Sequence, residues 1–94
     1  MKTYLVCYGT PSPRAVVIGQ SIVEPVIGQP ITLDGARMVL YWDAACGGLY
    51  GLAANGPKGS TRITAPVPRW AVTVAEWAEM SDDVAAKVAA WSIA

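Results

Sequence analysis

Histidine is absent from all 94 residues, so the usual general base near neutral pH and the commonest zinc ligand are both missing. A serine or cysteine nucleophile would need lysine as its base, and Lys2, Lys58 and Lys87 are the only lysines. Lys2 sits near the chain start and Lys87 on a predicted surface helix, where solvation accounts for them. Charge is also scarce. Charged residues make up 15%, and seven acidic side chains balance seven basic ones, so no broad electrostatic footprint points to long nucleic acid or anionic lipid. No window approaches the roughly 20 uncharged apolar residues of a membrane span, and the apolar stretch 4–8 is too short for a signal peptide. The expectation is a soluble, intracellular chain.

The two cysteines, Cys7 and Cys46, lack metal or redox spacing and fall in a predicted strand and helix, which predicts buried free thiols. Glu76 and Glu79 do not share a strand face, so a two-carboxylate glycosidase has no support. No catalytic residue, metal site or cofactor is expected, and the protein reads as a non-enzyme.

What the chain has in quantity is apolar surface, 53% of residues in a domain small enough to leave much of itself wet. Part of that surface is expected to lie between copies of the chain in a homo-oligomer. Residues 1–94 read as one compact α+β domain: a small antiparallel sheet with a short helix after Trp42 and a C-terminal helix packed on one face.

Alternation predicts a first strand over 2–8 with two apolar faces, a break at 9–13, and a second strand over 14–23 with a possible bulge at Gly19. Residues 24–30, with two prolines, read as a connection. Asp34-Gly35 between two apolar runs predicts a type I′ hairpin, with Ala36, Met38, Leu40 and Trp42 on the core face and Arg37, Val39 and Tyr41 on the other. Asp43 is placed to cap a helix starting at Ala44 and closing at Asn55-Gly56, and the cost of Gly47, Gly48 and Gly51 inside it predicts close backbone contact. A loop over 57–68 holds a short strand at 62–64, and a last strand runs over 69–79. Ser81 then caps a helix whose first turn carries Asp82 and Asp83 and whose stripe is Val84, Val88 and Trp91. Trp42, Trp70, Trp77 and Trp91 are expected to form much of an aromatic core or an interface.

Two weak binding constellations emerge. Lys58, Ser60, Thr61 and Arg62 put two cations and two hydroxyls in one glycine-containing loop, a composition able to hold phosphate. It is not a P-loop, because proline stands where the lysine belongs and the glycines do not open a helix. Arg37 and Tyr41 share a strand face, where an arginine can grip phosphate while the ring stacks on a base.

The succession ARMVLYWDAAC, LAANG and VAEW, with a terminal helix ending in Trp91, resembles a family of uncharacterised small proteins of tailed phages and prophages. The likeness covers most of the chain beyond Pro30 and rests on Ala36, Arg37, Trp42, Ala44, Ala45, Ala53, Gly56, Glu76 and Trp91; the segment 14–30 departs from it in length. The resemblance supplies a source but no active site. It implies a protein of the host cytoplasm that counters host defence, either sequestering a small nucleotide signal or blocking a host defence protein, with a minor structural role in the virion as a further alternative.

Overall fold

A computed structural model describes residues 1–9 and 15–94. Six strands form one antiparallel sheet: β1 (Lys2–Tyr8), β2 (Ala15–Ser21), β3 (Pro30–Tyr41), β4 (Arg62–Ile63), β5 (Val67–Thr73) and β6 (Glu76–Met80). Their order is β4-β3-β2-β1-β6, with β5 also paired to β3. Two helices, α1 (Gly48–Asn55) and α2 (Asp82–Ala90), complete the α+β fold. The expected break over 10–13 and Arg14, the first residue of the expected second strand, lie outside the described residues.

The alternation in β1 works because both sheet faces are covered. Leu5 and Cys7, with Val16, Ile18 and Val39, meet Leu52 of α1 and Val84 and Val88 of α2. Tyr4 and Val6 on the opposite face meet Val17, Ile31, Leu33 and Val72. A strand buried on both sides carries apolar residues at every position. The second layer over the Tyr4 face is the sheet itself, curled so that the start of β3 and its partner β5 lie across β1 and β2.

That curl corrects the hairpin predicted at Asp34-Gly35, because β3 runs through the pair without turning back. Only Gly35 has a positive φ, +58°, whereas a type I′ turn needs two. Asp34 pairs with Gln20 on one side and Arg69 on the other, so the dipeptide bends a strand held along both edges. The irregularity expected at Gly19 lies opposite this bend, where the β2–β3 register shifts between Ile18 and Gln20.

Three further expectations are corrected. In β3, Arg37 and Val39 are buried while Leu40 is 49% exposed, so the predicted core face holds only in part, at Ala36 and, just past the strand, at Trp42. The helix predicted from Ala44 is a 3₁₀ turn, Ala44–Cys46, followed by α1; Gly47 and Gly48, at φ +83° and +74°, interrupt it. The strand predicted over 69–79 is two, since β5 pairs with β3 and β6 with β1. The tryptophans do not gather: Trp42 and Trp91 lean on the helix-side core, Trp77 packs edge-on to Tyr4 on the other side at 5.7 Å between ring centres, and Trp70 is 44% exposed. No described helix is long and apolar enough to cross a membrane.

Candidate functional site

Cross-strand pairing places Tyr41, at the end of β3, opposite Arg62 of β4. Both are exposed, and the loop leading into β4 carries Lys58, also exposed. Neither cation has a side-chain partner among the described residues, where the one ion pair is Lys2 with Glu79 at 3.4 Å. The fold thus sets one of the predicted loop cations, Arg62, opposite the predicted aromatic at the edge of the sheet.

Asp43 organises the loop beneath them. One carboxylate oxygen accepts from the Ala45 amide at 2.8 Å and caps the 3₁₀ turn, as expected. The other accepts from the Ser60 amide at 3.0 Å and its hydroxyl at 2.7 Å. These three bonds pull the Asp43 carboxyl down to about 2. Gly59 is dictated by the same carboxylate, because a β-carbon there would lie 2.6 Å from it. The donors that make the loop fit for phosphate are therefore engaged by an anion of the chain itself.

Thr61 is buried beneath this arrangement. Its hydroxyl donates to the Lys58 carbonyl at 2.6 Å and accepts from the Asp43 amide at 3.0 Å. With that proton committed, the Cys46 thiol, 3.2 Å away, is the donor of their contact. Both cysteines are buried, as predicted. Of the loop residues singled out by sequence, Lys58 and Arg62 face solvent, Ser60 is held by Asp43, and Thr61 is interior.

Arg37 lies apart from Tyr41, which corrects the predicted clamp. It is 6% exposed and points toward the helices, where Nε donates to Thr64 O at 2.7 Å, Nη1 to Val88 O, and Nη2 to Trp91 O at 3.1 Å. The last two acceptors are carbonyls at the C-terminus of α2, whose negative end suits a cation; Val88 O also accepts from the Trp91 amide. Burial pulls the Arg37 pKa below its usual value, yet a guanidinium keeps its proton. Residue parity gave the right partner face for Arg37 and Val39 but not that helices cover it.

A family model matches residues 10–89, spanning strands β2 to β6, α1 and nearly all of α2. The chain belongs to DUF6948, a domain of unknown function. No curated protein and no solved structure matches it. All six residues predicted as ligand contacts fall inside the DUF6948 match, as does Asp43. Among the described residues no three His, Cys, Asp or Glu side chains gather as metal ligands would.

Sequence reasoning missed one further feature. A groove of about 290 Å³ opens at the mouth of the Tyr4-side core, between Val17, Ala36 and Met38 on the sheet and Ala65, Val67 and Trp70 over it. Thr64 also lines it, its hydroxyl oxygen accepting from the Met38 amide at 2.9 Å, and the rest of the wall is apolar. The signal lay in Trp70, expected in an aromatic core or an interface, whereas Val67 fell in the predicted loop and is instead the first residue of β5.

Proposed function

We propose that this DUF6948 chain is a non-enzymatic accessory protein of tailed phages and prophages that sequesters a small phosphate-bearing ligand, a nucleotide signal of host defence, in the host cytoplasm. The observation that carries this reading is the juxtaposition of Tyr41 and Arg62 across β3 and β4, with Lys58 in the adjoining loop. An exposed ring offers a stacking face, and two cations without carboxylate partners offer charge-assisted contacts to phosphate. Ser60 and Thr61 shape the loop in this reading, and Arg37 secures α2. The phage source rests on the resemblance running from Ala36 to Trp91, and the absence of histidine favours binding over turnover.

Calorimetry against cyclic and linear nucleotides tests the proposal. Uptake by the wild-type chain should weaken by about tenfold to a hundredfold for each of Lys58→Ala and Arg62→Ala, the value of one charge-assisted contact. Folding should be nearly unaffected, because exposed charges contribute little to it. No uptake of any nucleotide would defeat the reading. The apolar groove at Trp70 favours a second one, a block on a host defence protein, which capture of such a protein lost on a Trp70 or Met38 substitution would support.

A further inference from the structure

β6 is an edge strand: it ends the path β4-β3-β2-β1-β6, pairs with β1 along its length, and meets no described strand on its other side. In an antiparallel pair every second residue turns its amide and carbonyl away from the partner, so an edge presents a row of backbone donors and acceptors. A cavity of about 330 Å³ lies between this strand and Leu49, Ala53 and Ala54 of α1, and reaches the buried Leu5 of β1. Glu76, Trp77, Ala78 and Glu79 all line it. Side chains on a strand alternate between faces, so four consecutive lining residues mean that the cavity follows the backbone edge and is not confined to one face.

Pairing to β1 settles which face each side chain takes. Ala78 pairs with Leu5 and Glu76 with Cys7, both of the helix-side core, whereas Trp77 pairs with Val6 and Glu79 with Tyr4, on the opposite face. The edge therefore offers an apolar pocket beside Ala78, one carboxylate two residues earlier on the same face, and a second carboxylate next to it on the other. Both glutamates are exposed. Glu79 already attracts one cation, Lys2 at 3.4 Å, in an exposed pair of the kind that contributes little and is open to competition. A second copy of this chain suits the edge poorly, because two β6 strands side by side would bring four carboxylates, two from each, into one five-residue ladder.

We propose that the outer side of β6 receives an extended, basic segment of a partner protein, which adds a strand to the sheet, lays an aliphatic side chain in the cavity against Ala78, Leu49 and Ala53, and sets Lys or Arg opposite Glu76 and Glu79. Main-chain bonds to β6 supply affinity, while the cavity and the carboxylates choose the sequence. The register fixes the pattern: two cations three positions apart, as Glu76 and Glu79 are, with the aliphatic between them and next to the cation that faces Glu79. The surface shares no residue with Tyr41, Lys58 and Arg62, so it stands independently of nucleotide binding.

Selection of random nine-residue peptides on the immobilised full chain, followed by calorimetry with the peptide recovered most often, tests the assignment. Recovered sequences should carry two cations three positions apart around an aliphatic. Reversing both carboxylates, Glu76→Lys with Glu79→Lys, should weaken that peptide at least about fivefold, since each opposite-charge cross-strand pair becomes a like-charge one. Ala54→Arg, at an exposed position of α1, should weaken it too by filling the cavity. Strand addition has its own signature: methylating alternate peptide amides should abolish binding in one register, whose amides face β6, and spare it in the other. That comparison uses the wild-type chain, so it stands even where circular dichroism shows that a variant has not folded. Recovery of no peptide, recovered sequences without the paired cations, or equal binding of both methylated registers would each overturn the proposal. A wild-type dimer that Ala54→Arg abolishes would overturn it as well, by giving the edge to a second copy.

Discussion

Ser60 donates twice to one oxygen of Asp43, through its amide at 3.0 Å and its hydroxyl at 2.7 Å. A loop composed to hold phosphate thus holds a carboxylate supplied seventeen positions earlier, which fixes its path and leaves Lys58 and Arg62 turned outward. Replacing Asp43 by alanine should free both Ser60 donors and remove a negative charge from beneath the cations. Phosphate or nucleotide affinity at this loop should therefore rise. A fall in affinity with the fold intact would mean that the carboxylate positions the site rather than occupying part of it.

The same bonds set an acid limb. The Ala45 amide first, then the Ser60 amide and hydroxyl, lower the Asp43 carboxyl from 3.8 to about 2. A group held below its unfolded value contributes stability that is complete above that value and lost as the folded form takes its proton. Between pH 3.8 and about 2, wild-type stability should fall more steeply than that of Asp43→Asn, which has no charge to lose. Thermal unfolding across this range tests the difference, and parallel curves would show that the carboxylate bonds are not retained in solution.

Arg37 joins β3 to the end of α2 and to Thr64 through three carbonyl acceptors, so its removal strands polar atoms in the interior. Arg37→Met keeps the aliphatic length and should cost at least ~3 kcal/mol, taking ~1.5–3 kcal/mol for each bond to a charged donor. Arg37→Lys should recover only part, because an ammonium cannot reproduce the planar fork. Denaturant midpoints measure both. A loss below ~1 kcal/mol for the methionine variant would place the guanidinium in water.

Elements fixed by neighbours in sequence were legible. Ser81 caps α2 and Asp43 caps the 3₁₀ turn because a short oxygen-bearing side chain meets free amides two or three residues on. The span of β1 was legible for a similar reason, being one uninterrupted alternation. Asp34-Gly35 misled because its turn chemistry competes with pairing to Gln20 and Arg69, residues that no local window contains. Val74 and Ala75 hid the division between β5 and β6: apolar alternation continues across them while the strand changes partner from β3 to β1. Parity put Arg37 and Tyr41 on the same side of β3, but α2 covers only the first of them.

Trp91 follows α2 and closes the space between helix and loop. Its ring leans on the helix-side core, and its indole N–H donates to Thr61 O at 2.8 Å. Trp91→Phe removes the bond and keeps most of the ring, so about 1 kcal/mol should be lost. Trp91→Ala removes both, and because the ring is only partly buried the loss should sit near the bottom of the ~3–5 kcal/mol range for buried aromatics. Equal losses for the two variants would mean that the hydrogen bond, not the ring, holds the C-terminus.

Gly51 offers a test in which propensity and contact have opposite signs. Alanine is the better helix former by about 1 kcal/mol, so on local grounds Gly51→Ala should strengthen α1. Its β-carbon, however, would fall 1.7 Å from the Cys46 carbonyl oxygen. Cys46 has little room to yield: its side chain is buried against Thr61 and its amide is bonded to Asp43 O at 2.9 Å. The substitution should therefore destabilise, by about 1–3 kcal/mol as overpacking does. Gly48→Ala is the control, since its φ of +74° strains any side chain but nothing lies within 4 Å of the new carbon. Gly51→Ala should be the more damaging of the two despite its ordinary backbone, and a neutral result would show that α1 can slide away from the 3₁₀ turn and that the contact does not constrain the glycine.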